Sequence, residues 1–234
     1  MTGAQASRLQ RRNGVMTTAC SQLNLTASFA AGKGDACAPV APHFMESLYY
    51  EDQVFDGLDL PEENLTDKEI ESCEFLRCDF SKSDFSGTVF VDCVFRECNL
   101  SLVKLSEAAL KTVDFSDCKL VGVDFGKCSD FLFTVSFQNC QLDYSSFFQK
   151  KLKSTRFADC SLKETDFTSA DLTSAVFHNC DLLRASFVQT NLEKADFRTA
   201  FNYGLDPELN RVKGAKFSHA GIAGLLTKYQ IVIQ

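Results

Sequence analysis

Six cysteines recur along the middle of this sequence at almost constant intervals, and the thiol is the side chain here best suited to chemistry. Their intervals are 20, 20, 22, 20 and 20 residues, and they are Cys78, Cys98, Cys118, Cys140, Cys160 and Cys180. Thiols in a series could form disulfides or bind a metal ion. Metal ligands must converge on one point, however, and the chain has no C-x₂-C motif. We therefore interpret these cysteines as small buried residues of a structural repeat.

Other catalytic constellations are missing from the sequence. The three histidines, His43, His178 and His219, have no companion nucleophile or ligand set at a recognisable spacing. No glycine-rich phosphate loop or paired-carboxylate motif stands out. The sequence therefore predicts a protein that is not an enzyme, with no catalytic residue, no metal site and no cofactor.

The elements that carry the cysteines repeat every five residues. A Phe or Leu stands at every fifth position from Phe75 to Phe125, and again from Leu132 to Phe197 after a two-residue slip. The residue two places earlier is mostly small, and the intervening residues are mostly polar. A helix repeats its faces every 3.6 residues and a strand every two, so a period of five indicates a solenoid that turns a corner in each unit.

A coil of twenty residues sorts the large residues into four columns. One column is entirely Phe; its members are Phe75, Phe95, Phe115, Phe137, Phe157, Phe177 and Phe197. We name the four faces after the large residue of one early coil: the Phe75, Phe80, Phe85 and Phe90 faces. The cysteine series occupies one column of small positions. The interval of 22 predicts a small bulge at residues 126–131, with Leu132 pointing inward after it.

This five-residue pattern resembles the pentapeptide repeat family. The resemblance implies an all-β fold, a right-handed quadrilateral β-helix, here followed by a short C-terminal helix predicted at about 218–229 with Ser218 as a possible N-cap. We predict an acidic, degenerate first coil that caps the N-terminal end at 45–72. The repeat then spans 73–200, and its frame stops after Phe197. Residues 201–234 form a turn, the helix and an apolar tail.

The first 44 residues differ in composition from the rest. They contain Arg8, Arg11, Arg12 and Lys33 against a single acid, Asp35. Two interpretations stay open: a disordered or cleaved targeting leader, or a start assigned upstream of Met45. The number of unpaired cysteines favours a reducing, cytoplasmic location.

The net charge of −7 argues against direct binding to nucleic acid or to an anionic membrane. No apolar run reaches the ~18 residues that suggest a membrane span. The ending is more informative; it reads Gly204-Leu205-Asp206-Pro207-Glu208-Leu209-Asn210-Arg211-Val212, then Gly214-Ala215-Lys216-Phe217. It is similar to the Qnr-type quinolone-resistance and microcin-immunity proteins.

That similarity implies a DNA-mimic-like protein that binds DNA gyrase or topoisomerase IV and protects it from a poison, as immunity or quinolone resistance. It also implies a homodimer joined through the C-terminal helix, for which the candidate residues are Ile222, Leu225, Leu226, Tyr229, Ile231 and Ile233. The candidate topoisomerase-facing acids are Glu74, Glu97, Asp114, Asp117, Asp159 and Asp196 on the Phe75 face, with Asp84, Asp124 and Asp166 on the opposite Phe85 face. The alternative is a structural scaffold module with another protein partner, in the cytoplasm or in an organelle.

Overall fold

The computed structural model describes residues 47–232, and every strand pairing in them is parallel. The expectations for residues 1–44 and for Ile233 lie outside this range. The strands are β1 (Tyr49–Glu51), β2 (Val54–Asp56), β3 (Glu69–Glu71), β4 (Glu74–Leu76), β5 (Val89–Arg96), β6 (Ala109–Ser116), β7 (Val135–Gln138), β8 (Arg156–Ala158), β9 (Val176–His178), β10 (Asp196–Phe197) and β11 (Lys216–Phe217). They stack in the order β1-β3-β5-β6-β7-β8-β9-β10-β11, while β2 pairs with β4, which also pairs with β5.

The strand register confirms the twenty-residue coil. Phe75 pairs with Phe95 and Phe95 with Phe115, while Phe115 pairs with Phe137 across the longer interval. Isolated parallel bridges continue the same register on the other faces, as in Asp79 with Asn99. The predicted solenoid, a β-helix with its large residues in columns, is the observed fold.

Stacked phenylalanine rings fill the column under the Phe75 face. Neighbouring rings lie 4.6–5.4 Å apart between centroids and are nearly parallel. The column is longer than predicted, since Phe55 begins it and Phe217 ends it. The frame does not stop at Phe197, because the Phe217 ring stacks on Phe197 at 5.4 Å. Residues 198–217 therefore add a further, irregular coil.

Nearly every corner is made by a residue in the left-handed region, two places after the large residue. Arg77 has φ = 50° and Gly122 has φ = 70°, and the same sign recurs at nearly every corner. A left-handed L-residue costs about 1–2 kcal/mol. Hydrogen bonds between coils offset this cost; for example, the Arg77 amide donates to the Arg96 carbonyl at 2.9 Å.

The small position of each unit carries a specific hydrogen bond. Where it is Cys, Ser or Thr, the side chain can donate to the carbonyl of a large residue in the preceding coil. Cys98 Sγ lies 3.4 Å from the Phe75 oxygen, and Thr165 Oγ1 lies 3.0 Å from the Leu142 oxygen. A buried carbonyl without a partner is costly, so this bond favours a small side chain with a hydrogen-bond donor at these positions.

The bulge differs in detail from the prediction. A 3₁₀-helix spans Phe125–Lys127, and Leu132 is 62% exposed rather than inward. Phe133 takes the core position instead, with 8% exposure. Cys128 is also buried and fills the small position that Asp130 would have occupied in the predicted frame. The inserted residues therefore lie before Phe133, and they push the predicted core leucine to the surface.

Lys150 is buried at a position where the pattern places a small residue. Its side chain is 2% exposed, and its Nζ donates to the Cys128 carbonyl and, at 2.7 Å, to Asp130 Oδ1. Lys68 is buried at the equivalent position near the first coil, where Nζ donates to the Ser47 carbonyl at 2.8 Å. At both places, the ammonium group of a lysine donates to a backbone carbonyl at an irregular part of the coil.

The predicted short C-terminal helix is present as two 3₁₀-helices, Ile222–Leu225 and Thr227–Tyr229. Ser218 Oγ accepts from the Gly221 amide at 3.1 Å. These turns pack closely on the last coil, since a Cβ on Gly224 would lie only 2.3 Å from the Tyr203 carbonyl oxygen. Within the described range, no helix is long and apolar enough to cross a membrane.

Candidate functional site

The residues that the structure describes contain no group of three or more His, Cys, Asp or Glu side chains that could hold a metal ion. The nine cysteines in this range are free and buried. His178 lies on the surface, with Nδ1 3.4 Å from Thr199 Oγ1. Since the interior is filled by side chains of the columns, the candidate site must be on the outer surface.

Two carboxylates stand on the Phe75 face of one coil, at Asp114 and Asp117. Ser136 on the next coil donates its hydroxyl to Asp114. Asn139 Nδ2 donates to Asp117 Oδ1 at 2.6 Å. These donors are uncharged, so they orient the carboxylates without neutralising them.

A third carboxylate, Asp159, lies on the same face two coils after Asp117. It accepts from Gln138 Nε2 at 2.8 Å and from Asn179 Nδ2 at 2.9 Å. These hydrogen bonds, first that from Asn179 and then that from Gln138, lower the pKa of the Asp159 carboxyl. The charged form is therefore favoured at neutral pH. We name Asp114, Asp117 and Asp159 the carboxylate row.

The amide and hydroxyl donors of the row were not singled out from the sequence. Asn139 follows Asp117 by 22 residues, and Asn179 follows Asp159 by 20. The coil period was therefore the signal that could have found them. A separation of one coil places each of these acids next to an uncharged donor in the following coil.

The remaining acids of the Phe75 face differ from one another. Glu97 is exposed and Glu74 is half-buried, and neither forms an ion pair with another described residue. Asp196 is neutralised by Arg198, whose guanidinium lies 2.7 Å from Asp196 Oδ2. That contact lowers the pKa of the Asp196 carboxyl, and it removes this residue from the uncompensated acids.

The candidate acids of the opposite Phe85 face are largely compensated. Lys104 lies 3.8 Å from Asp84, and Lys127 lies 3.3 Å from Asp124. Asp166 accepts the backbone amide of Thr168 at 2.9 Å. The structure thus separates the two groups of acids: no acid of the carboxylate row forms an ion pair with another described residue, whereas two of the three acids on the opposite face are paired.

The C-terminal end exposes apolar side chains. Ile222 is 45% exposed and Tyr229 56%, and Ile231 is exposed as well. Leu225 packs against the core, and Leu226 is half-buried.

Two further exposed residues at this end, Phe201 and Leu209, were not predicted. They lie in the irregular last coil, where the five-residue frame no longer assigns a direction to side chains. The apolar surface at this end is therefore wider than the six predicted residues.

The chain is similar to solved structures of repeat proteins. One is QnrB1, a plasmid-mediated fluoroquinolone resistance protein, with 23% identity, 77% of this chain and 100% of that chain covered, and a TM-score of 0.42. Another is HetL of the cyanobacterium Nostoc sp., involved in heterocyst differentiation regulation, with 17% identity, 76% and 92% covered, and a TM-score of 0.49. A third, from the thylakoid lumen of Arabidopsis thaliana, has 27% identity, 39% and 66% covered, and a TM-score of 0.30.

No curated protein matches the chain. The family model of the pentapeptide repeat region matches residues 68–147 and 131–203, which together make up more than half of the chain. These residues contain the cysteine series and the phenylalanine column from Phe75 to Phe197. The chain therefore belongs to the pentapeptide repeat family.

Proposed function

We propose that this protein is a non-enzymatic, DNA-mimic-like protein that binds DNA gyrase or topoisomerase IV through its Phe75 face and protects the enzyme from a poison. The observation that carries the proposal is the carboxylate row. Its three charges are fixed by uncharged donors, as phosphates are fixed along a duplex. The ending at residues 204–217, similar to that of Qnr-type and microcin-immunity proteins, supports the same class of partner.

The size of the charge limits what the row can do. Duplex DNA carries about one negative charge per ~1.7 Å of axis. Coils stack at ~4.8 Å, so the step from Asp117 to Asp159 places charges about 10 Å apart. The face is thus a sparse imitation of DNA. Its charge is suited to steering and orienting the rod on a basic surface, and shape has to supply the rest of the binding.

The test adds the purified full chain to DNA gyrase and to topoisomerase IV and measures binding, supercoiling or decatenation, and poison-induced cleavage. We expect binding and reduced cleavage. A variant with Asp114→Asn, Asp117→Asn and Asp159→Asn should bind about tenfold more weakly and with a smaller dependence on salt, because it keeps shape but loses charge.

The matched control changes Asp84, Asp124 and Asp166 to Asn on the Phe85 face. It should bind like the parent chain, since two of these acids are already paired. Absence of any effect of the parent chain at micromolar concentration would contradict the proposed function. Equal loss in both triple variants would contradict the assignment of the Phe75 face.

A homodimer through the C-terminal end belongs to the same proposal. Its support is the exposed apolar surface formed by Ile222, Tyr229 and Ile231. Ile222→Asp should shift the sedimentation coefficient to that of a monomer. Leu183→Asp, a change at a similarly exposed residue away from the terminal turns, should not.

A scaffold module with a different protein partner is the second candidate. Ion pairs between coils favour it, because much of the surface charge is compensated internally, as in Lys82 with Glu62 and Arg184 with Glu164. Mass spectrometry of the mature N-terminus and cell fractionation distinguish the candidates. A cleaved leader and an organellar location would favour the scaffold, whereas an intact chain in the cytoplasm fits topoisomerase protection.

A further inference from the structure

The Phe90 face is acidic in its N-terminal half. Strands β1, β3 and β5 are in register there, so Glu51 lies beside Glu71, and Glu69 lies beside Val89. The outward and corner positions of these three coils hold exposed acids and no base. The acids are Glu51, Asp52, Glu69, Glu71 and Asp92, which we name the acidic half.

The C-terminal half of the same face has the opposite charge. Parallel bridges join Lys151 to Asp171, Asp171 to Asn191 and Asn191 to Arg211, so these residues form one column across four coils. Exposed cations occupy most of the outward and corner positions in and beside this column. They are Lys151, Lys153, Lys194, Arg211 and Lys213, which we name the basic half.

Most of these charges are not neutralised by neighbouring side chains. The two acids within the basic half are paired there, since Lys153 lies 3.4 Å from Asp171 and Arg211 lies 2.7 Å from Glu193. No acid of the acidic half forms an ion pair with a residue in the range 47–232. Three cations of the basic half also have no such partner in this range; they are Lys151, Lys194 and Lys213.

The Tyr49 hydroxyl shows the effect of the negative charge in the acidic half. It donates to Glu51 Oε2 at 2.9 Å. This hydrogen bond, followed by desolvation and by the charges of Glu51, Glu71 and Asp52, raises the pKa of Tyr49 to about 12. The carboxylates thus act together on one neighbour, with no described cation to offset them.

An exposed apolar surface lies between the two halves. The large inward residues along this face are, in coil order, Tyr50, Ile70, Phe90, Leu110, Phe133, Leu152, Leu172, Leu192 and Val212. Phe133 stands in the middle of that series. Phe131 and Leu132, directly before it, are 68% and 62% exposed. One cation, Lys111, lies beside them, with Nζ 5.5 Å from the Phe131 ring centroid.

We propose that two copies of this chain pair side by side through their Phe90 faces, in antiparallel orientation, with the acidic half of each copy against the basic half of the other. A surface that is acidic at one end, apolar at its centre and basic at the other end complements itself under a twofold rotation. A parallel arrangement would instead place like charges against each other. The carboxylate row lies on the adjacent Phe75 face, so this pairing does not depend on the proposed function.

Salt separates this contact from the apolar contact proposed at the C-terminal end. Between ~0.1 M and ~1 M salt, the screening length falls from ~10 Å to ~3 Å. We expect the side-by-side pair to weaken about tenfold or more over this interval, because exposed charges supply most of its complementarity. A chain with Ile222→Asp should therefore be a monomer at ~1 M salt and associate at low salt.

The test is sedimentation velocity of the full chain at low salt, with Ile222→Asp in every sample to remove the end contact. One variant reverses the basic half with Lys151→Glu, Lys194→Glu and Lys213→Glu. The other reverses the acidic half with Glu51→Lys, Glu69→Lys and Glu71→Lys. Each variant should be monomeric alone, because its two halves then carry the same sign. An equimolar mixture should associate, because each reversed half then faces a half of opposite sign.

The matched control carries Lys82→Glu, Lys119→Glu and Lys163→Glu on the opposite Phe80 face. It has the same change in net charge as the basic-half variant, and it should associate like the parent. Circular dichroism of each variant verifies that the rod is intact.

Three results would overturn the inference. They are a parent that stays monomeric at low salt, a mixture of the two variants that does not associate, and an equal loss in the Phe80-face control. A parent that stays monomeric but binds heparin through the basic half would assign that surface to another anionic partner instead. None of these results bears on binding to a topoisomerase, which is measured separately.

Discussion

The polar side chain two residues before each large core residue is selected for a hydrogen bond as well as for its size. Thr165 donates to the Leu142 carbonyl at 3.0 Å, and Cys118 Sγ lies 3.4 Å from the Phe95 oxygen. A serine, threonine or cysteine fits this position because each has a short donor that reaches the preceding coil. The cysteine series is thus one way to provide this hydrogen bond, and its regular spacing follows from the twenty-residue length of the coil.

Burial of the thiols should make the stability of the rod sensitive to alkaline pH. Burial raises the pKa of Cys93 to about 11 and that of Cys128 to about 12, from an ordinary value of 9.0. Below pH 9 both the native and the unfolded chain keep these protons. As the pH rises from 9 towards 11–12, the unfolded chain loses them first, so the free energy of unfolding falls.

Urea unfolding near pH 8 and about pH 10 measures this loss. A Cys93→Ala, Cys128→Ala variant is the control, and its stability should depend less on pH over that interval. The nine described cysteines of the parent should also react slowly with a thiol reagent at the lower pH. Equal pH dependence of the parent and the variant would contradict the role assigned to burial.

The bulge shows how an insertion is accommodated in a repeat of fixed period. Two additional residues would leave backbone groups unsatisfied, and Lys150 from the following coil donates to the buried carbonyl of Cys128. The same replacement of a small residue by Lys68 occurs beside the first coil. Lysine at a small position is therefore a device that closes an irregular coil.

Replacing Lys150 by Met tests this device. Met keeps the length of the side chain but removes the donor, so the Cys128 carbonyl and Asp130 lose a partner. We expect a loss of about 1–3 kcal/mol in the free energy of unfolding. Lys151→Met, at the adjacent exposed position, should change stability by less than about 0.5 kcal/mol. Similar stabilities of the two variants would show that Lys150 does not close the bulge.

Over the whole rod, the two ends are built differently from the middle. The N-terminal end between residues 45 and 72 carries ten acids and one base. At the other end, the terminal turns are tied to the last coil by Lys228, which lies 2.9 Å from Asp206 and 2.7 Å from Glu208. Tyr203 lies under these turns and covers the end of the phenylalanine column.

Gly224→Ala should detach the terminal turns from the rod. The new Cβ would meet the Tyr203 carbonyl oxygen at 2.3 Å, and backbone cannot yield as a flexible side chain can. Hydrogen exchange at the Leu205 amide, which donates to the Gly224 carbonyl, should become faster while exchange in the central coils stays slow. Gly204→Ala is the control, since its Cβ would lie 3.4 Å from Thr227. Unchanged exchange at Leu205 in the Gly224 variant would refute this account of the cap.

Periodicity made the scaffold predictable at each scale. The four columns, the coil of twenty and the interval of 22 follow from the positions of Phe, Leu and Cys, because each unit repeats the same backbone turn. Prediction was wrong at the bulge, where the repeat is interrupted: Leu132 is outside and Phe133 is inside. Beyond the repeat, the helix expected at 218–229 is divided into two 3₁₀-helices. A sequence period assigns side chains to faces only for the residues that follow it.

The sequence by itself determined that this protein is a pentapeptide repeat solenoid, since the fold depends on contacts between residues that are separated by a constant number of positions in the chain. Which acids are paired with a cation was decided only by the tertiary structure. Asp159 is held by amides, while Asp196 is neutralised by Arg198. Both acids stand on the same face in the same repeat. Their difference arises because neutralisation depends on side-chain distances within and between coils, which the five-residue pattern leaves open.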